Sequence, residues 1–148
     1  MERAAADRFA LVQKVAVLVG VVFLLIGLLG FIPGITENAP GEFIGSADEP
    51  AKLLGLFEIS WVHNVVHLLF GVVGLMLART WEGARNFLIW GGVVYLLLWV
   101  LGLVGALDWL PTNSEDHWLH LGLGVGMIGL GFLTTRGDRM MAGDRPAT

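Results

Sequence analysis

The chain has no cysteine and few charged residues. Of its 148 residues, 15% are Asp, Glu, Lys or Arg, whereas 55% are hydrophobic. The absence of cysteine excludes disulfides, thiolate metal ligands and cysteine nucleophiles. A soluble domain usually carries about 25% charged residues, so this chain has too few to cover a surface that faces water. The composition therefore predicts a protein embedded in a lipid bilayer.

Four long apolar runs are present instead, at residues 10–32, 60–78, 84–107 and 115–135. A helix needs about 20 apolar residues to cross the hydrocarbon core, and each run is about this long. The first run exceeds the hydrophobic region of a signal peptide, which has about 7–15 residues, and no small-residue cleavage site follows it. We predict an all-α integral membrane four-helix bundle, a single domain over residues 1–148 with an outer loop over 33–59 and short cytoplasmic tails.

Basic side chains lie almost entirely on one side of this four-span arrangement. One side holds both termini and eight of the nine basic residues: Arg3, Arg8, Lys14, Arg79, Arg85, Arg136, Arg139 and Arg145. The other side holds Lys52 and these acidic residues: Glu37, Glu42, Asp48, Glu49, Glu58, Asp108, Glu115 and Asp116. An excess of Lys and Arg in short loops marks the cytoplasmic side. The predicted location is therefore the bacterial inner membrane, with multiple passes and both termini cytoplasmic.

The first run resembles the third, and the second resembles the fourth. The aligned segments are GVVFLLIGLLG (20–30) with GVVYLLLWVLG (92–102), and NVVHLLFGV (64–72) with HWLHLGLGV (117–125). The alignments pair His67 with His120 and Gly71 with Gly124. The sequence thus predicts an internal repeat of two tandem, like-oriented helix hairpins, related by a pseudo-two-fold axis along the membrane normal.

Several residues carry expectations about local structure. Small residues permit close approach of helices in lipid, so Gly122 and Gly126 are expected to form a packing face. Ser60 and Ser114 precede apolar runs and are the expected N-caps. In the outer loop, AKLLGLFEI (51–59) is expected to form a short helix in the membrane interface.

Aromatic residues with polar atoms occupy two kinds of position. Indole rings favour the headgroup region, and four lie at predicted span boundaries: Trp61, Trp81, Trp109 and Trp118. Three others lie inside the third span: Trp90, Tyr95 and Trp99. The polar atoms of these three are expected to hydrogen-bond within the bundle.

All four histidines lie in two short segments, HNVVH and DHWLH, near the outer ends of the second and fourth spans. His63 and His67 share a helix face, as do His117 and His120, so the imidazoles are expected to converge at the outer mouth. In a structural interpretation, His67 and His120 hydrogen-bond across the bundle while His63 and His117 stay hydrated. Alternatively, all four are candidate ligands of zinc, copper or nickel, or His67 and His120 hold a haem b iron axially. Proton sensing is a further alternative.

Four segments also carry a resemblance to a known family: GVVFLLIGLLGFIPG, LLGLFEISWVHNVVHLLFGVVGL, GGVVYLLLWVLGL and LPTNSEDHWLHLGLGVGMIGLG. Together they cover most of residues 15–131, and the HNxxHLxxG and DHWLHLGLG blocks are the most specific. The chain resembles the bacterial membrane proteins of the domain of unknown function 4383 family. The resemblance implies a four-span membrane protein and supplies no activity. The positions that would inherit any shared role are His63, Asn64, His67, Asp116, His117 and His120.

Catalysis has little support in the sequence. No serine, histidine and carboxylate fall at a suggestive spacing, and Asp116 beside His117 is first of all a helix-start carboxylate. We therefore predict no catalytic residues and no cofactor, in a non-enzymatic structural or partner-binding protein whose partners are the lipid bilayer and further copies of the chain. The alternative is a metal- or haem-binding membrane protein that uses the histidine cluster. The basic ends are short, so no nucleic acid is expected, and the sequence identifies no protein partner.

Overall fold

Four helices and a small sheet make up the computed structural model, which describes residues 9–44 and 49–143. The elements, in chain order, are α1 (Leu11–Leu29), β1 (Thr36–Glu37), β2 (Ala51–Leu53), β3 (Phe57–Ile59), α2 (Trp61–Leu77), α3 (Trp81–Leu103) and α4 (Ser114–Gly143). We call the end of the bundle that bears the sheet the outer end. Four residues used in the orientation prediction lie outside the described residues: Arg3, Arg8, Asp48 and Arg145.

The helices have the length and composition of membrane spans. Three of them, α1, α3 and α4 over Ser114–Met140, are long and apolar enough to cross a membrane, and α2 is a shorter apolar helix of 17 residues. Spanning helices range from about 17 to 25 residues, so α2 lies at the lower end of that range. Large apolar side chains point outward, for example Leu18 (63% exposed) and Leu69 (60%). The fold is a helical membrane bundle, which confirms the predicted class.

Each hairpin crosses at a pair of glycines. A Cβ atom added to Gly20 would lie 3.1 Å from the Gly71 carbonyl oxygen, and one added to Gly71 would lie 2.8 Å from the Gly20 carbonyl oxygen. In the second hairpin, a Cβ atom on Gly92 would lie 2.7 Å from the Gly124 oxygen, and one on Gly124 would lie 3.0 Å from the Gly92 oxygen. Glycine allows this backbone approach in lipid. The crossings of α1 with α2 and of α3 with α4 therefore use the very positions that the sequence aligns.

Gly122 and Gly126 do not form the expected packing face within the chain. Both are exposed, and a Cβ atom added to either would meet nothing within 4 Å. Within the chain Gly124 makes the contact with α3 instead. At about 100° per residue, Gly122 and Gly126 lie on the far side of α4.

The outer loop contains an antiparallel sheet in the order β1-β2-β3. The short helix expected over residues 51–59 is therefore wrong. The segment alternates in the manner of a strand pair: Ala51, Leu53 and Ile59 are buried and pack together, whereas Lys52 and Glu58 form a cross-strand ion pair with 3.8 Å between Nζ and Oε1. Side chains of alternate residues point to opposite faces of a sheet, so one face is apolar and the other is polar.

The inner end is closed by a carboxylate that the sequence analysis did not single out. Asp138 of α4 accepts hydrogen bonds from the backbone N–H groups of Leu11 (2.8 Å) and Val12 (3.2 Å) and from Trp81 Nε1 (3.2 Å). The first N–H groups of a helix have no partner inside it. Asp138 thus caps α1 from the opposite end of the chain and joins it to the start of α3. The Arg139 guanidinium carbon lies 6.0 Å from the centre of the Trp81 ring.

Candidate functional site

The two helices that carry the histidines begin at equivalent positions. Ser60 caps α2, because its Oγ accepts the His63 N–H at 3.2 Å, as predicted. In α4 the cap is Asn113 and not Ser114: Asn113 Oδ1 accepts the Asp116 N–H at 3.1 Å, and Asp116 Oδ2 accepts the Asn113 N–H at 3.1 Å. This reciprocal pair is a capping box, and it leaves Ser114 as the first residue of the helix. The separation of Ser60 from Asn113 equals that of His67 from His120, so α2 and α4 start in the same register.

Asp116 also fastens the sheet to the bundle. Its side chain is buried, with the residue 1% exposed, and Oδ2 accepts the Glu58 N–H of β3 at 3.2 Å. Beside it, Asn113 Nδ2 donates to the Leu56 carbonyl oxygen at 2.7 Å. The helix-start carboxylate foreseen from the sequence thus has two tasks, capping α4 and anchoring the outer sheet.

His67 and His120 occupy equivalent places in the two hairpins. The His67 ring packs on Phe23 of α1, with centroids 5.4 Å apart, and the His120 ring packs on Tyr95 of α3, with centroids 5.3 Å apart. Phe23 and Tyr95 are aligned residues and lie 5.4 Å apart, centroid to centroid. Within residues 9–44 and 49–143 no hydrogen bond joins His67 to His120, contrary to the structural interpretation. Contacts between aromatic rings link the two imidazoles instead.

His63 is half-buried, whereas the structural interpretation left it hydrated. Its ring stacks on His67 with centroids 4.3 Å apart and an angle of 6° between the planes. His67 Nδ1 lies 3.0 Å from the His63 carbonyl oxygen. A carbonyl oxygen only accepts, so Nδ1 carries the proton and donates. The hydrogen bond fixes the His67 ring and leaves Nε2 as its unprotonated nitrogen when the ring is neutral.

His117 and Asn64, which the repeat aligns, each pack against a glycine of the neighbouring helix. We call the space that the missing glycine side chain leaves a glycine notch. A Cβ atom added to Gly102 would lie 2.7 Å from His117 Nε2, and one added to Gly30 would overlap the Asn64 amide. Asn64 is 1% exposed. Neither of its amide atoms has a hydrogen-bond partner among the residues that the structure describes. His117 therefore packs against α3.

This arrangement does not suit a metal centre. In the described part of the chain, no three His, Cys, Asp or Glu side chains are placed to hold a metal ion. The nitrogen lone pairs of an imidazole lie in the ring plane. Because the His63 and His67 planes are nearly parallel, their lone pairs do not converge as tetrahedral coordination requires. The side chains instead hold the helices together through ring contacts and glycine notches.

The comparisons with known proteins identify a family. The family described as Domain of unknown function (DUF4383) matches residues 13–133, a range that contains all four histidines and both glycine crossings. No curated protein and no solved structure matches the chain. The suspected resemblance is thereby confirmed: the chain belongs to the DUF4383 family of domains of unknown function.

Proposed function

We propose that the protein is a non-enzymatic membrane module that associates side by side with further copies of itself. Its interior polar groups support this proposal, because the described histidines, Asp116 and Asp138 act in packing, capping and anchoring. The outward faces of α3 and α4 support the choice of partner. A ridge on α3 and a groove on α4 lie at the same depth, and this single observation carries the proposal.

The groove runs along the far side of α4. It contains Gly122 and Gly126, which are exposed, and Gly129, which is half-buried. A Cβ atom added to any of the three would meet nothing within 4 Å. The spacing of four and then three residues keeps the glycines on one helix face. This face offers the bare backbone on which membrane helices associate.

The ridge runs along the far side of α3. Trp90 is 65% exposed, Val94 46% and Leu97 55%, and their spacing also keeps them on one face. Trp90 lies about 13 Å along the helix from its inner end, deep in the apolar span, and it was expected to turn its indole into the bundle. That prediction is wrong: the ring points outward, because Gly92, two residues on, occupies the face toward α4.

The ridge and the groove match in depth. The two helices are antiparallel, and a Cβ atom on Gly131 would lie 2.9 Å from Ile89 Cγ1, while one on Gly124 would lie 2.7 Å from Leu96 Cγ. These contacts fix the depth of the next residues of α3. Trp90, which follows Ile89, is level with the inner part of the groove, and Leu97, which follows Leu96, is level with its outer part. Copies inserted with the same orientation can join only surfaces of equal depth. A contact of ridge with groove is heterologous and forms a ring when the rotation closes.

Cysteine cross-linking tests the contact, since the chain has no cysteine of its own. We expect Leu97→Cys in one tagged copy to form a disulfide in membranes with Gly122→Cys in a second, differently tagged copy. Leu69→Cys, on an exposed face of α2, is the matched control with Gly122→Cys and should give no product. Equal yields for both pairs, or products only between identical variants, would overturn the proposed contact.

Blocking the groove provides an independent test. Gly126→Leu fills the open face and should weaken self-association about tenfold or more, which corresponds to about 1.4 kcal/mol. Val66→Leu, on the exposed surface of α2, is the control and should leave the distribution of oligomers unchanged. Native mass spectrometry from mild detergent measures that distribution, and a protein that is monomeric before any substitution would refute the proposal.

We further propose that the module lies in the bacterial inner membrane with both termini in the cytoplasm. The charges at the two ends of the bundle support this orientation, because Lys14, Arg79 and Arg139 lie at the end opposite the acidic sheet. Glu42→Cys should react with a membrane-impermeant maleimide in spheroplasts, whereas Arg79→Cys should react only after permeabilisation. The reverse pattern would invert the orientation.

A further inference from the structure

The outer sheet lies beside the end of a membrane helix and not above it. Its buried residues Ala51, Leu53 and Ile59 pack against Ile26 and Leu29. Leu29 is the last residue of α1, and Ile26 lies one turn earlier, about 4.5 Å along the helix axis. The sheet therefore begins at the depth where the helix leaves the hydrocarbon, which is the depth of the lipid headgroups.

The opposite face of the sheet is polar. Lys52 and Glu58 pair across β2 and β3 with side chains 39% and 22% exposed, and Glu37 of β1 lies opposite Lys52 in the register. This charged face is suited to water. A sheet with its apolar face on α1 and its polar face in water leaves only its edges to meet lipid.

The edge at the β2–β3 turn is apolar and strained. Leu54 is 68% exposed and Leu56 48%. Leu54 has φ +55° and Gly55 has φ +69°. A left-handed conformation costs a residue with a side chain about 1–2 kcal/mol, and glycine or asparagine would fill such a turn at lower cost. In water a leucine at this position is unfavourable because of its left-handed backbone and because of its exposed apolar side chain. Transfer of that side chain to lipid is favourable.

The second apolar edge is formed by two residues of the β1–β2 connection, outside the strands, and it continues a group of aromatic rings at the membrane boundary. Phe43 is 64% exposed and Ile44 39%. The Phe43 ring lies 5.7 Å from Trp61, centroid to centroid, and Phe31 lies 5.7 Å from Trp61 on the same measure. Trp61 is the first residue of α2, and indole rings favour the headgroup layer. Phe43 therefore lies at the level of that layer.

Both edges are held at the level of helix ends. Leu56 is fixed to the start of α4 through its carbonyl oxygen and Asn113 Nδ2, 2.7 Å apart. The Glu42 carbonyl oxygen accepts the Trp61 N–H at 2.9 Å, and the Phe43 carbonyl oxygen accepts the Val62 N–H at 3.2 Å. From this placement we infer that the two edges, Leu54 with Leu56 and Phe43 with Ile44, insert into the headgroup layer of the outer leaflet. The sheet is thus an interfacial anchor that binds phospholipid beside the outer end of α1.

Site-specific fluorescence in phospholipid nanodiscs tests this inference. Leu54→Cys and Phe43→Cys carry an environment-sensitive dye, and Lys52→Cys on the polar face is the matched control. We expect the dyes at 54 and 43 to emit at shorter wavelength than the dye at 52. A lipid with a nitroxide at the headgroup should quench them several-fold more strongly than aqueous iodide does, and the dye at 52 should show the opposite preference.

Two fluorescence outcomes would overturn the inference. In the first, the dyes at 54 and 43 respond like the dye at 52, so the edges lie in water. In the second, they are shielded from both quenchers, so a protein covers them. A label-free variant guards against a perturbing dye: Leu54→Asn relieves the strained turn but removes the apolar side chain. It should speed amide hydrogen exchange of β2 and β3 in nanodiscs and not in detergent, and equal exchange of variant and parent in nanodiscs would also refute lipid anchoring.

Discussion

The glycine crossings lead to a prediction in which the same substitution has opposite effects at two positions of one helix. In Gly124→Ala the new methyl group would lie 2.7 Å from Leu96 Cγ and 3.0 Å from the Gly92 carbonyl oxygen. Both distances are shorter than ordinary van der Waals contact, so α3 and α4 must move apart. Overpacking of this kind costs about 1–3 kcal/mol. In Gly122→Ala the methyl group meets nothing within 4 Å, and alanine is about 0.8–1.0 kcal/mol better than glycine inside a helix.

The helix preference of alanine acts at both positions, so the two variants should differ by the overpacking cost, about 1–3 kcal/mol in free energy of unfolding. Gly124→Ala should be less stable than the parent, and Gly122→Ala should be equal to it or more stable. The repeat adds a check, because Gly71→Ala should repeat the loss: its methyl group would lie 2.8 Å from the Gly20 carbonyl oxygen.

Unfolding by sodium dodecyl sulfate in mixed micelles, followed by circular dichroism, measures these differences. Protein dilute enough to be monomeric keeps self-association out of the comparison, since Gly122 also lies in the proposed groove. If Gly124→Ala and Gly122→Ala shift the midpoint equally, or if Gly124→Ala stabilises the bundle, the argument from close backbone approach is refuted.

Other predictions concern residues with defined contacts. Asp138→Ala removes the acceptor for two helix N–H groups and should lower the free energy of unfolding by about 1–2 kcal/mol, read from the same titration; an unchanged midpoint would contradict the capping role. Asp116→Ala opens the capping box and frees the Glu58 N–H, so hydrogen exchange of β3 should accelerate while that of α1 stays constant. Tyr95→Phe should leave stability within about 0.5 kcal/mol, because Phe23 occupies the equivalent place without a hydroxyl. Elemental analysis and absorption spectra of purified protein should show neither stoichiometric metal nor haem. A metal or haem signal that the double variant His67→Ala, His120→Ala abolishes would favour the metal- or haem-binding alternative.

Features that depend on local sequence were predictable. The four apolar helices follow from hydropathy, and Ser60 caps α2 as its place before an apolar run indicates. The repeat alignment pairs Gly20 with Gly92 and Gly71 with Gly124, and these four glycines make the two crossings. The cap of α4 was also readable, since Asn113 stands three residues before Asp116 in the spacing of a capping box.

Features that depend on distant contacts were not predictable. Asp138 binds the start of α1 across 127 residues of sequence, and no local pattern indicates this pairing. Gly122 and Gly126 have the spacing of a packing motif, yet Gly124 makes the contact with α3, because tertiary packing decides which side of a glycine-rich helix faces inward. Spacing places His63 and His67 on one helix face, but it does not show that their rings stack in parallel. The orientation of the rings decides whether their nitrogen lone pairs can point at a common metal ion.

The two hairpins differ at the third residue of the histidine-bearing helices, where α2 has His63 and α4 has Asp116. Only the first hairpin has a long connection, and it forms the outer sheet; the second connects Leu103 to Ser114 directly. Asp116 attaches this sheet to α4 by accepting the Glu58 N–H at 3.2 Å. At the equivalent place in α2, His63 stacks on His67. The two helices therefore carry different residues at this place because the sheet is attached only to α4. Exchanging His63 and Asp116 should weaken the attachment of the sheet to α4 without attaching the sheet to α2.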